Sequence, residues 1–313
     1  MPALLDVLII GGGPAGLSVA TGLARQLYTA VVFDSGVYRN ARTKHMHNVP
    51  TWDHRDPADF RAAARRDILA RYDTIQFQET KIESVRRRED GRFEATDAKG
   101  TTWLGKKLVL ASGMKDVYPD IPGYDDVWGR GVYHCLFCDG FEDRGSASAG
   151  VLAIGDVAKP PPALHLSRMA KRLAKKVVVY TNGASELSEQ IAAALGNDPV
   201  IVLDNRRVTR LEKVNEDSSE TIVHLEDGTK VSHGFVVHKP KNEVNGPFVK
   251  QLGVELNEMG VIKTTQPFYE TTVPGVFAAG DCAAPMPAVS NALAMGAFVA
   301  GGLVAQLGAE PTA

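Results

Sequence analysis

Apolar residues in this chain fall into two kinds of pattern that take turns from the start. Asp6-Val7-Leu8-Ile9-Ile10 is an unbroken run closed by glycines, which predicts a buried parallel strand. Residues 14–27 carry Ala15, Leu17, Ala20 and Leu23 along one helical face, and residues 30–34 are again a run. Together they predict a strand–helix–strand unit. Residues 56–72 read as a helix opened by Asp56-Pro57. From 75 to 110 the pattern is strand-like, with turns at Asp90-Gly91 and Lys99-Gly100, and residues 108–113 form a buried strand ending in small residues.

The same succession restarts with a strand at 151–155, a helix from about 162 to 174 and a strand at 177–180. Strands are expected at 200–203, 207–214, 221–225 and 234–238, then a late strand at 275–281 ending in an acid. A Gly- and Ala-rich helix at about 289–307 closes the pattern. The reading is an α/β protein of two Rossmann-like, three-layer (ββα) domains, the second inserted into the first. The outer domain takes 1–116 and 245–313 and the insert 117–244, with crossings at 115–119 and 239–247 where Pro, Gly and Lys collect.

Composition narrows the partners. The chain has 313 residues, 44% of them apolar, with 30 glycines, which suits two modest soluble domains. A net charge of −2 argues against nucleic acid or an anionic membrane. No basic leader precedes the first strand, and the longest apolar stretches are interrupted by glycine and read as too short to cross a bilayer. The expectation is a cytoplasmic protein acting on small molecules or a lightly charged protein. Three cysteines in that setting are no structural disulfide framework; a CxxC there is catalytic or metal-binding.

Gly11-Gly12-Gly13-Pro14-Ala15-Gly16 follows the first strand and opens the first helix. Gly11 permits a tight turn, Gly13 lets the backbone approach a diphosphate, and Gly16 lets helix and strand pack closely. The phosphates then meet free N–H groups at the helix start. Asp34, at the end of the second strand, stands where a carboxylate binds ribose hydroxyls. The motif alone does not choose between FAD and NAD.

Further segments carry a family resemblance: Ala111-Ser112-Gly113, the pair Cys135-Leu136-Phe137-Cys138 followed by Asp139-Gly140, and Thr272-Val273-Pro274-Gly275-Val276-Phe277-Ala278-Ala279-Gly280-Asp281. With the glycine motif, they make the chain resemble, over nearly its whole length, the low-molecular-weight thioredoxin reductases and related two-dinucleotide-domain flavoproteins. The resemblance implies bound FAD and a homodimer. It implies that Asp281, after Gly280, holds the ribityl chain, and that Ala288 and Val289 begin a helix whose positive end points at the flavin. FAD contacts are further expected from Ser35, Asn40, His47 and Asn48 in the loop after Asp34, and from Ala111 and Gly113.

Cysteines three apart on a helix start would share a face, and such a position lowers a thiol pKa. Zinc would need two more ligands, and Cys282 is isolated. By resemblance, Cys138 exchanges electrons with the flavin and Cys135 meets substrate. Asp139 is either a proton carrier or a capping carboxylate. Cys282 reads as a small buried residue. His45, His47 and His134 are each either useful bases or ordinary packed or surface histidines.

The second glycine motif departs from the family. After Ile154-Gly155 come Asp156-Val157-Ala158-Lys159-Pro160-Pro161-Pro162, with Val157 at the second glycine and Pro160 at the third small position. Valine is expected to fill the space a diphosphate needs, and proline removes amide donors. Tyr180-Thr181-Asn182-Gly183 offers no arginine for a 2′-phosphate. The insert therefore reads as a degenerate NAD(P)H-type domain. This departure, with His134-Cys135-Leu136-Phe137-Cys138-Asp139-Gly140-Phe141-Glu142, resembles the gliotoxin-type dithiol oxidases, which close disulfides in epidithiodiketopiperazine-type natural products. That branch implies a small-molecule dithiol as electron donor and O2 as acceptor. The alternatives are a reductase fed by NADPH, with thioredoxin as partner, or by ferredoxin, and a non-catalytic flavin scaffold.

Overall fold

The computed structural model describes residues 3–310. Contacts divide it into two compact units, residues 1–115 with 242–313, and residues 116–241. Strand β1 (Leu4–Ile10), helix α1 (Pro14–Ala24) and strand β2 (Ala30–Phe33) open the first unit. Helix α2 (Pro57–Arg71) starts at Asp56, whose side chain accepts the Ala58 N–H and caps the helix. Strands β3 (Ile75–Gln78), β4 (Ile82–Arg87), β5 (Phe93–Asp97) and β6 (Thr102–Leu110) follow, and β7 (Met114–Val117) reaches the unit boundary.

The second unit holds α3 (Tyr124–Val127), β8 (Val132–Tyr133), β9 (Ala149–Leu152), α4 (Pro160–Ala170), β10 (Val177–Tyr180), α5 (Ser185–Leu195) and β11 (Ile201–Asp204). It continues through β12 (Val208–Lys213), β13 (Thr221–Leu225), β14 (Lys230–His233) and β15 (Phe235–Val237). The chain returns through β16 (Lys241–Val244), α6 (Phe248–Leu252), β17 (Thr264–Thr265), β18 (Glu270–Thr271) and β19 (Val276–Ala278) to α7 (Val289–Gly308).

In the first unit the strand order is β17-β18-β19-β6-β1-β2-β3, with β5 joining β6 and β4 beyond it. The centre is parallel: Ile9 pairs with Val32 on one side and Val109 on the other, and Phe277 pairs with Val109. Val7, Leu8 and Ile9 are wholly buried, as a central parallel strand requires. Small residues let helices approach: a Cβ on Gly22 would stand 2.4 Å from Ala300 Cβ, and one on Gly296 would stand 2.5 Å from Ala15 O. Helix α7 is 20 residues long and apolar enough to cross a membrane by length and composition, which corrects the expectation that every apolar stretch is too short. Its apolarity serves the core, where Met295, Val299 and Leu303 are buried and the Leu293 carbonyl accepts the Ser18 hydroxyl at 2.7 Å.

In the second unit the parallel sheet runs β11-β10-β9-β15-β8, and β12-β13-β14 form an antiparallel layer. Alternation along β10 shows three layers. Val177 and Val179 join the core that contains Leu164 of α4 and Ile191 of α5, while Val178 and Tyr180 join the one that contains Leu211 and Val223 of the antiparallel layer. Helix α4 begins two residues before the expected start and ends at Ala170, not 174. Helix α5 has no counterpart in the sequence reading; only Leu187 and Ile191 are buried on it, too narrow a stripe to stand out.

Candidate functional site

The first unit builds a dinucleotide cradle from its glycines. Gly11 has φ +122°, and a Cβ there would lie 2.2 Å from Ala111 O, so β6 closes against the turn. A Cβ on Gly16 would lie 2.0 Å from Gly11 O, while nothing stands within 4 Å of one on Gly13. Gly13 caps α1 without a side-chain bond, Pro14 takes the first helical position, and the first helical bond is Leu17 N–H to Gly13 O at 3.0 Å. The Ala15 and Gly16 amides therefore have no intrahelical acceptor and face outward at the positive end of the helix. Open backbone at Gly13 with two such donors fits a diphosphate.

Asp34 meets the glycine turn, since a Cβ on Gly12 would come within 2.3 Å of its carboxylate. It accepts Gly36 N–H at 3.0 Å and the Tyr38 hydroxyl at 2.6 Å. Burial, then the bond to Asp34, pushes the Tyr38 phenol up to about 12. The Arg61 guanidinium lies 3.7 Å from the Tyr38 ring centroid, and its Nη1 donates to Asn40 Oδ1 at 3.1 Å. A cavity of about 750 Å³ opens beside Gly12, Asp34, Tyr38 and Arg61. Ser35 Oγ accepts a long 3.4 Å bond from Val37 N–H.

Asp281 follows β19, which lies two strands from β1 and ends at the same carboxyl end of the parallel sheet. Its Oδ2 accepts Arg39 Nη1 at 2.9 Å, with both side chains mostly buried. Gly280 has φ +80°, and a Cβ there would lie 3.0 Å from Ala15 Cβ, which puts the end of β19 against the start of α1. Ala111 is buried, and Gly113 has φ +69°. Ala288 is the extended N-cap of α7, whose first bond is Ala292 N–H to Ala288 O at 2.9 Å. Val289 packs on the cluster of Met46, Val49 and Phe60, so the loop carrying His47 and Asn48 adjoins the start of α7. His47 Nε2 lies 3.1 Å from His54 Nδ1, and Asn48 N–H donates to Asp53 Oδ1 at 2.7 Å. Cys282 is fully buried, donates to Leu110 O, and burial raises its thiol to about 12. Tyr38, Arg39 and Arg61 are the residues sequence reasoning missed. A cation and a phenol directly after the strand-ending acid were the available signal.

The second unit holds the dithiol pair. Cys135 and Cys138 form a disulfide with Cα atoms 5.3 Å apart. They do not sit on a helix, as the sequence reading supposed, but in a turn after β8 where Cys138 and Asp139 N–H both reach Cys135 O at 3.1 Å. Gly140, with φ +99°, ends the turn and stops it from winding into a helix. Cys135, Cys138 and Asp139 are thus together in one turn. The Tyr133 hydroxyl donates to Asp143 Oδ2 at 2.9 Å and lies 2.8 Å from Ser219 Oγ, and burial raises the Asp143 carboxyl.

The loop corresponding to the first cradle is closed here. Val157 N–H bonds Ile154 O at 3.0 Å, Ala158 N–H bonds Gly155 O at 3.0 Å, and Lys159 N–H bonds Val157 O at 2.8 Å. Positions 160, 161 and 162 are the first three of α4, and all are proline; Ala163 N–H bonds Lys159 O at 3.2 Å. No amide from 157 to 163 is left for a phosphate. Val157 is buried in the core, so its side chain does not fill the phosphate space as expected; the backbone bonds and the prolines close the cradle instead. A crevice of about 400 Å³ persists beside Tyr118, Gly155, Asn182 and His238, at the carboxyl ends of β9, β10 and β15. Arg207, from the loop after β11, packs on Gly183, a cation near residues 180–183 that the sequence reading did not place. Arg206 is committed to Asp204 at 2.6 Å and Asp227 at 2.8 Å.

Comparison with known proteins agrees with this arrangement. The family described as pyridine nucleotide-disulphide oxidoreductase matches residues 5–296. The chain is 49% identical over 306 residues to thioredoxin reductase aclD of Aspergillus oryzae, covering 97% of this chain and 96% of that protein. It is 42% identical to thioredoxin reductase sirT of Leptosphaeria maculans, covering 100% and 97%. The crystal structure of HlmI superposes with a TM-score of 0.86 at 30% identity, covering 97% of this chain and 92% of that one. The chain belongs to the pyridine nucleotide-disulphide oxidoreductase family, within its thioredoxin-reductase-like flavoproteins.

Proposed function

We propose that this protein is an FAD-dependent dithiol oxidase: it converts a small-molecule dithiol to its disulfide through Cys135 and Cys138, with O2 as final acceptor and H2O2 as co-product. One observation carries the reading. A disulfide turn stands intact in the same unit whose nucleotide cradle has no amide left between residues 157 and 163. The name thioredoxin reductase borne by the relatives supports an NADPH-fed alternative. The closed cradle counts against it.

Substrate thiolate attacks Cys135 Sγ, and the Cys135–Cys138 bond breaks, releasing the Cys138 thiolate. The second substrate thiol then attacks the substrate sulfur bound to Cys135, which forms the product disulfide and frees Cys135. Two electrons and two protons pass to the cysteine pair. Asp139, whose amide is tied to Cys135 O in the same turn, is the nearby carboxylate to take the proton of the second substrate thiol and hand it to the Cys138 thiolate. FAD, when bound, supplies the two-electron store between this dithiol and O2. For its part, the chain offers Ala15 and Gly16 N–H to the diphosphate, Asp34 to the adenosine ribose, Asp281 to the ribityl chain, and the uncapped start of α7 to the flavin ring. A homodimer belongs to the same proposal, on the resemblance to thioredoxin reductases.

The test is anaerobic. A small dithiol should bleach the visible flavin band and NADPH should not; in air the dithiol should drive oxygen uptake. Cys135→Ser should keep the flavin and lose turnover. Fast bleaching by NADPH would sink the oxidase reading in favour of the reductase, and bleaching by reduced ferredoxin alone would favour the ferredoxin-fed one.

A further inference from the structure

The segment that carries the disulfide leaves and rejoins the body of the second unit at two points that a side-chain bond connects. At the entry, Tyr133 is fixed by its backbone: it pairs with Val237 of β15, and its carbonyl accepts the His238 N–H at 3.0 Å. At the exit, Asp143 is fixed by the strap that follows. There Ser146 N–H bonds Asp143 O at 3.2 Å, Gly145 N–H bonds Leu173 O at 2.7 Å and Lys175 N–H bonds Ser146 O at 2.9 Å. The Tyr133 hydroxyl crosses between the two points to Asp143 Oδ2 at 2.9 Å, ten positions apart in the chain, and so closes a loop that contains Cys135 and Cys138. With the phenol hydrogen given to the carboxylate, Ser219 Oγ, 2.8 Å away, donates to the phenol oxygen from the loop between β12 and β13. Tyr133 is 6% exposed, so water competes little for this bond. A Cβ on Gly140 would stand 3.9 Å from Tyr133 Cδ2, so the same ring backs the end of the cysteine turn. Asp139 acts on Tyr133 and Glu142 on Asp143 through their charges, so the segment is acidic as well as clamped.

We propose that Tyr133 and Asp143 are positioning residues for the Cys135–Cys138 couple: their bond keeps the ends of the loop together when the disulfide opens, and so keeps the two thiols within reach of each other. This rests on the dithiol reading above and adds to it what sets the couple's potential. Reduction breaks the S–S bond and takes up two electrons and two protons, supplied in turnover by the substrate dithiol; oxidation returns them and closes the bond. An opened pair gains chain freedom, and a clamp across the loop denies it much of that gain. The disulfide is thereby favoured, the potential is lower, and the reduced pair is a stronger donor to the next acceptor. The role is geometric, and the chemistry stays on the sulfurs.

The experiment equilibrates the holoprotein anaerobically in dithiothreitol buffers of graded oxidation state, traps thiols with a maleimide, and counts the modified Cys135–Cys138 peptide by mass spectrometry. Tyr133→Phe removes the hydroxyl and leaves the ring. It should move the equilibrium about tenfold toward dithiol, a potential about 30 mV higher, which corresponds to the freedom of about one residue's backbone. Asp143→Ala should match it. Asp143→Asn keeps an oxygen that accepts the phenol hydrogen while removing the charge, and should stay within about twofold of wild type. Should Tyr133→Phe not give holoprotein, Asp143→Ala against Asp143→Asn makes the same comparison. A shift in Asp143→Asn as large as in Tyr133→Phe or Asp143→Ala would assign the effect to charge and overturn the inference. So would a Tyr133→Phe protein that melts at lower temperature with its potential unmoved, the mark of an ordinary structural bond. Either result leaves the dithiol reading standing, whereas a wild-type pair that stays oxidised in every buffer would overturn both.

Discussion

Restoring amides to the start of α4 is a direct trial of why the second cradle should not hold NADPH. The first cradle offers two first-turn amides, at Ala15 and Gly16, whereas positions 160, 161 and 162 offer none. A hydrogen bond to a charged group contributes about 1.5–3 kcal/mol, so having two donors fewer than the first cradle forfeits on the order of 3–6 kcal/mol. A micromolar dinucleotide complex holds together by about 8 kcal/mol, and each 1.4 kcal/mol is about tenfold. The smallest loss in that range already moves such a complex to about 0.1 mM. The prediction is a dissociation constant for NADPH of about 0.1 mM or weaker, read by calorimetry on the holoprotein. Pro160→Ala/Pro161→Ala/Pro162→Ala returns three N–H groups to a helix whose Ala163 N–H already bonds Lys159 O, and should tighten NADPH binding by at least about tenfold. It should not reach the affinity of an open cradle, because Val157, Ala158 and Lys159 keep their N–H groups turned inward. Wild-type binding tighter than about 50 µM, or a triple variant that binds no better than wild type, would refute the reasoning.

Gly11→Ala places a carbon 2.2 Å from Ala111 O at φ +122° and should lower flavin affinity at least about tenfold, whereas Gly36→Ala, with nothing within 4 Å, should keep the flavin; fluorescence of released flavin measures both. His233 and His238 are buried and pulled down from 6.5 to about 4, so each stays neutral in the folded state and takes a proton on unfolding between those values. Their stability contribution is complete above pH 6.5 and is lost as pH falls toward 4, at up to about 2.7 kcal/mol per pH unit in mid-window. Urea unfolding across that window should show this slope, and His233→Gln/His238→Gln should flatten it; an unchanged slope refutes the assignment. Cys282, with its thiol near 12 and no exposed surface, should resist iodoacetamide in the native protein while the reduced Cys135–Cys138 pair reacts, as peptide mass spectrometry will show.

What could be read from the chain beforehand has a physical boundary. Elements whose sequence determines their own conformation were legible: Val7-Leu8-Ile9-Ile10 has nowhere to go but a buried strand, and the Gly11–Gly16 punctuation admits only a tight turn into a helix. Contacts assembled from distant segments were not. Arg39 meets Asp281 across 242 positions, and Arg61 lies on Tyr38 only because α2 folds back over the loop. The turn at Cys135–Cys138 also escaped, since i, i+3 spacing serves a turn as well as a helix, and Gly140 decides between them only once Leu136 and Leu173 press on it. The departure of the second motif from the family pattern was legible, yet its structural consequence was misplaced. Valine was expected to obstruct by bulk; instead its side chain enters the core, the loop folds onto its own carbonyls, and three prolines remove what amides remained. One fold, used twice in one chain, therefore serves as its own control. The two helix starts share the strand before them and the parallel sheet around them, and differ in whether amides point outward. That difference, more than the fold, fits the first unit to a dinucleotide, and in the proposed function it leaves the cysteine pair as the route by which electrons enter the second.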